Sequence, residues 1–103
     1  MVYELECRYD TRQSFYGKAL VEEKETKKMI HRKLFSYGTL VAEYKRFKDN
    51  NRRVYEYYGK YSQTTTRHQK EFFKQCGLWN KEIEKLFKEG TLDIKEELWE
   101  KYQ

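Results

Sequence analysis

The spacing of apolar residues changes once along this chain, near residue 62, and that change limits what it can fold into. Before it, apolar and polar residues alternate. Residues 2–9 put Tyr3, Leu5, Cys7 and Tyr9 on one side and Val2, Glu4, Glu6 and Arg8 on the other, the pattern of a half-buried strand. A second strand is expected from about Phe15, with Phe15, Gly17, Ala19 and Val21 on one face. The charged run 23–27 reads as a hairpin tip. Lys28 to Tyr37, Leu40 to Phe47 and Arg53 to Tyr61 read as three further strands. Gly38 and Lys48-Asp49-Asn50-Asn51 supply the turns between them.

After residue 62 the period becomes helical. Ser62 to Thr66 offers hydroxyls that accept from free backbone N–H groups at a helix start. Gln69, Phe72, Phe73 and Cys76 follow at helical spacing, and Gly77 ends the helix. Asn80 is placed to cap a second helix bearing Trp79, Ile83, Leu86 and Phe87, closed by Gly90. Asp93 and Glu96 have capping-box spacing ahead of Ile94, Leu98 and Tyr102, which predicts a third.

The expected fold is α+β. An antiparallel β-meander of about five strands (residues 1–61) is followed by one main helix packed on it (62–77) and a tail of two short helices (78–103). A length of 103 residues suits a single domain. The tail is expected to pack Trp79, Leu86, Leu98 and Trp99 back on the sheet, with the other sheet face left partly open.

Several function classes drop out. No run of 18 apolar residues is present, so no membrane helix is expected. The acidic, alternating start Met1–Glu6 is unlike a secretory leader. Cys7 and Cys76 are far apart and read as two lone thiols in a reducing compartment, which predicts a cytoplasmic protein. Cys7, His31, His68 and Cys76 contain no close pair of the kind that zinc sites use, so no metal is expected. Gly17, Gly38 and Gly59 form no phosphate loop, and no cofactor is expected. Glu22-Glu23-Lys24, with Asp10 upstream, spells a nuclease-like E-x-K that any charged chain contains by chance. His68, three residues before Glu71, lacks an evident proton-transfer partner. The expectation is a binding module, with a small nuclease as the weaker option.

The charge is uneven. Residues 1–61 hold fourteen Lys/Arg against nine Asp/Glu, and residues 62–103 hold eight of each. Two basic clusters stand out: one around Arg32 and Lys33, the other running from Lys45 and Arg46 to Arg52 and Arg53. The strands bearing them are expected to pair, so the clusters share one edge as a phosphate-contacting surface. Tyr16, Tyr37, Tyr44 and Tyr57 are interleaved and suit base stacking. Thr64 to Arg67 suits an anion at the helix start. The plainer reading is an ordinary solvated surface with a modest positive excess.

Three segments carry a resemblance. They are Tyr9-Asp10-Thr11-Arg12-Gln13-Ser14-Phe15-Tyr16-Gly17-Lys18-Ala19, Ser36-Tyr37-Gly38-Thr39-Leu40-Val41-Ala42 and Tyr61-Ser62-Gln63-Thr64-Thr65-Thr66-Arg67-His68-Gln69-Lys70-Glu71-Phe72. Together they resemble an uncharacterised small domain family of phages and mobile elements of low-GC Gram-positive bacteria, over roughly residues 3–77. The resemblance implies a cytoplasmic protein of a mobile element and passes on no activity. It directs attention to Arg12, Tyr16, Lys18, Thr65, Arg67 and His68, with Tyr16 and Lys18 expected on the open side of the sheet. In that setting the leading expectation is nucleic-acid binding, DNA or RNA, through the basic sheet surface. The alternative is a protein-level inhibitor of a host defence complex such as a CRISPR effector.

Overall fold

In the computed structural model, which describes residues 1–95, a six-stranded antiparallel sheet carries two helices on one face. The elements run β1 (Val2–Glu4), β2 (Ala19–Glu25), β3 (Met29–Ser36), β4 (Thr39–Phe47), β5 (Arg53–Tyr57), α1 (Gln63–Gln75), α2 (Asn80–Glu89) and β6 (Thr91–Ile94). Spatial order in the sheet equals chain order. This is the expected meander-then-helices order with one strand more.

Register follows the alternation of the sequence. Tyr3, Val21, Leu34, Ala42 and Tyr57 lie in one row across β1 to β5, and Glu23, Arg32, Tyr44, Tyr55 and Leu92 in the next. These rows face the helices. A bulge beside Leu34 and Phe35 adds Val41 to β4 and buries it together with Ala42. Its carbonyl accepts from the Gln69 amide at 3.1 Å, which ties α1 to the sheet.

α1 starts where the hydroxyls foretold. Ser62 Oγ accepts from the Thr65 N–H at 3.1 Å, and the Thr65, His68, Gln69, Phe72 and Phe73 stripe is buried. The helix runs along the strands. Thr65 and His68 meet Ser36 at one end, and Cys76, just past its last residue, meets Arg32 and Tyr55 at the other. Phe73 packs between Tyr55 and Phe87, and Phe87 stacks on Tyr57 at 4.3 Å, so α2 completes the same core.

Four expectations are corrected. The alternation of residues 2–9 outlasts the strand: β1 ends at Glu4, because the Tyr9 and Asp10 N–H groups bond to the Glu71 carboxylate (2.9 Å each) instead of to β2. Glu23 and Lys24 lie within β2, not at a hairpin tip, and Glu23 holds Arg32 at 2.6 Å. Thr91–Ile94 is a strand paired with β5, not the start of a third helix. Trp79 does not pack on the sheet. It is 53% exposed, edge-on to Tyr9 at 5.2 Å, while Leu86 is buried as expected. The expected helix over Leu98 and Tyr102, and the packing of Leu98 and Trp99, lie outside the described residues. No helix among the described residues is long and apolar enough to cross a membrane.

Candidate functional site

Strand parity splits the two basic clusters between the two faces of the sheet. Lys33 and Lys45 lie on the face opposite α1 and α2, in rows that read Glu22, Lys33, Glu43, Glu56 and Lys24, His31, Lys45, Val54. Carboxylates balance cations there. His31 Nε2 meets Glu43 Oε1 at 2.7 Å, and the Tyr58 hydroxyl donates to the same carboxylate. Burial alone would raise Glu43, but these two hydrogen bonds outweigh it and hold its carboxyl below the usual range.

Arg32, Arg46 and Arg53 face the other way. Each lies two residues from a core position (Leu34, Tyr44 and Tyr55), so each shares the helix-side face. There α1 does not cover them. Its thirteen residues span about 20 Å, whereas the nine residues of β4 span about 30 Å. The sheet outruns the helix and leaves a cleft of about 540 Å³ between the three arginines and Gln75–Gly77.

The cleft is electrostatically unfinished. Arg46 stands directly opposite Arg53 in the β4–β5 register, an unfavourable like-charge pair. Among the described residues neither forms an ion pair, and Arg46 Nε is buried without a hydrogen-bond partner. Arg53 Nη1 donates to the Tyr55 hydroxyl at 3.2 Å, which in turn donates to the Cys76 carbonyl at 2.7 Å. The guanidinium also lies against Gly77. A Cβ there would sit 3.0 Å from Nη1, and the backbone has φ +97°, so only glycine fits without strain. Arg32 is fixed by Glu23 and lies 5.5 Å from the Tyr44 ring centroid. Burial pushes the Cys76 thiol up to about 12 despite Arg32 beside it, which leaves it protonated and unreactive near neutral pH.

The remaining candidates lie elsewhere. Arg52, at the same end of the sheet, is held by Asp93 through two nitrogens. Arg12, Tyr16, Lys18, Arg67 and His68 gather at the opposite end. Tyr16 and Lys18 belong to a turn there and not to the open sheet face. Arg67 is paired with Asp10 at 3.3 Å. Asp10, Arg67 and Glu71 line a smaller depression of about 220 Å³ together with Lys70 and Lys74; its two carboxylates are already engaged, with Arg67 or with backbone. Glu71 is the positioning residue that local pattern could not reveal.

His68 is buried (1% exposed) and does not sit on the surface. Its Nδ1 lies 2.8 Å from Ser36 Oγ, its Nε2 has no partner among the described residues, and Phe15 packs on its ring at 4.5 Å. Burial lowers its pKa and keeps it neutral. Since the unfolded chain takes up this proton below about pH 6.5 and the folded one resists, stability should fall as pH drops from about 7 to 5. His68→Phe leaves Ser36 and Thr65 bonded to each other and should flatten that fall in a thermal-melt series. An unchanged profile would show that another group is responsible. Among the described residues no cluster of three or more His, Cys, Asp or Glu side chains could hold a metal ion.

Fold and cleft together define a small α+β domain with an open arginine site at one end of a β-meander. A family model described as a family of unknown function (DUF8033) matches residues 3–90, and the chain belongs to that family. The match extends past residue 77 and takes in α2. No curated protein and no solved structure matches the chain.

Proposed function

We infer that this chain is a non-enzymatic module that holds nucleic-acid phosphates in the Arg32–Arg46–Arg53 cleft. The observation that carries this reading is the facing pair Arg46 and Arg53, set opposite each other and without an ion pair to any carboxylate among the described residues. A bound phosphate would lie between two guanidinium groups and relieve their repulsion, and each can offer it charge-assisted hydrogen bonds. The cation excess in residues 1–61 supplies the wider attraction. A binding role fits better than catalysis because the groups of catalytic type are engaged. His31 is tied to Glu43, Glu23 to Arg32, and His68 and Cys76 are buried. The mobile-element resemblance of the motifs supports a setting inside a bacterial host cell for this activity.

Anisotropy of a labelled oligonucleotide tests it. Affinity should fall as salt rises from about 50 to 200 mM, with a log–log slope of about −2 to −3 for two or three neutralised phosphates. Absence of binding at the low-salt end would overturn the reading. A second reading, a protein-level inhibitor of a host defence complex, is favoured by the exposed Tyr9–Trp79 pair. A stoichiometric partner that survives nuclease treatment on co-purification would support it over the first.

A further inference from the structure

At the end of the sheet away from the cleft, two turns of the same kind lie side by side. Tyr16-Gly17 and Tyr37-Gly38 each place two consecutive residues at positive φ, 53° and 74° in the first and 51° and 79° in the second. Positive φ at both central residues is the signature of a type I′ turn, in which Asn or Asp normally precedes Gly. A tyrosine there sets its Cβ against its own carbonyl and is disfavoured. This chain has the disfavoured residue twice, at adjacent turns, and in both cases the ring is turned to solvent, 74% exposed at Tyr16 and 57% at Tyr37. Neither ring is buried in the core, so core packing does not account for the pair.

The rings are held on a stiff base. The Lys18 N–H donates to the Phe15 carbonyl at 3.0 Å, and the Tyr16 N–H to Ser14 Oγ at 2.8 Å. The Tyr37 N–H donates to the Lys18 carbonyl at 2.9 Å, which locks one turn to the other. Tyr37 lies over His68 at 5.8 Å with a 31° tilt, and His68 rests on Phe15. Tyr37 is thus the outermost of three rings in contact, with Phe15 edge-on to His68 beneath it. Lys18 and Arg12 are exposed nearby in the chain.

We propose that the Tyr16–Tyr37 tip stacks unpaired bases of a single-stranded nucleic acid, with Lys18 contacting the adjoining phosphate. The proposal rests on the nucleic-acid reading above and narrows it to strands whose bases are free. The Tyr37 ring, braced by His68, loses little rotational freedom on binding. Stacking on the two rings is tolerant of sequence, because every base has a π face. A duplex hides those faces and offers the tip nothing to stack on.

Tyr16→Asn and Tyr37→Asn test it cleanly, since asparagine is the residue that this turn prefers and the fold should be kept or slightly strengthened. The probes are a labelled twelve-nucleotide oligothymidylate and an abasic strand of equal length and charge. The parent should bind oligothymidylate about tenfold or more tightly than the abasic strand, and each substitution should remove most of that difference. Equal binding of both probes, unchanged in the two variants, would overturn the tip and leave the arginine cleft standing. Failure of both probes to bind the parent at low salt would overturn both readings together.

Discussion

An Arg46→Glu variant is expected to lose affinity for a short oligonucleotide by about 100-fold or more while unfolding at a higher temperature than the parent. Both effects follow from the β4–β5 register. Arg46 faces Arg53, and like charges directly opposite on neighbouring strands destabilise a sheet. A carboxylate at position 46 turns that repulsion into attraction and removes a guanidinium whose Nε is buried without a partner. The gain is about 0.5–1 kcal/mol, or roughly 3–5 °C in Tm for a domain of this size. Binding suffers twice. One phosphate-holding group is replaced by a repelling one, and Arg53 becomes engaged by the new carboxylate. Two charge-assisted hydrogen-bonding groups at about 1.5–3 kcal/mol each set the scale of the loss. Anisotropy and thermal melts on one preparation read both quantities. A variant that binds like the parent would remove the cleft from consideration. One that is destabilised would show the arginine pair to be compensated in some other way.

The second large effect concerns stability alone. Glu71→Leu should cost about 3–4 kcal/mol in denaturant unfolding, and Glu71→Gln about 1 kcal/mol. The Glu71 side chain is buried (2% exposed). Its Oε1 accepts the Tyr9 and Asp10 N–H groups at 2.9 Å, and its Oε2 accepts the Gln75 amide at 2.6 Å. Leucine leaves those two backbone donors unpaired in a partly buried site, whereas glutamine keeps an acceptor for them and gives up the charge and the acceptor for Gln75. The segment between β1 and β2 hangs on this one side chain, so the leucine variant should also gain early proteolytic cuts between residues 5 and 18. Similar stability of the two variants would mean that water replaces the carboxylate.

The fold was legible in the sequence wherever the chain obeys one local period. β2 to β5 and both helices appear where alternation or helical spacing placed them, with ends moved by a few residues. The failures have a common cause, a partner far away in sequence. The alternation over residues 5–9 is real, yet Glu71, more than sixty positions on, claims the backbone donors of Tyr9 and Asp10. Thr91–Ile94 follows a helix and precedes a capping-like spacing, but the open edge of β5 takes it as a strand.

The site was legible in part. Charge clustering pointed to the end of the sheet where the arginine cleft lies, and parity could have gone further. Arg32, Arg46 and Arg53 each lie two residues from a core aromatic or leucine, which puts them on the helix side, while Lys33 and Lys45 lie on the other. His68 likewise falls on the helical stripe of Thr65 and Phe72, which marks it as buried. What could not be read was the shortfall of α1 against the strands, since a helix length and a strand length become a cleft only after the two are stacked.

The late position of β6 in the chain has a consequence for how the molecule is made. The meander β1 to β5 is built from neighbours, and its hairpins can close quickly. The β5–β6 pairing joins Arg53 to Ile94 across both helices and is the slow, non-local contact of the fold. Until it forms, β5 is a bare sheet edge, a template for unwanted pairing, and Arg53 sits on that edge. A nascent chain emerging in order therefore presents half of its arginine pair on an unfinished border. Every residue that lines the arginine cleft precedes α2, so the cleft can assemble while that aggregation-prone edge is still open.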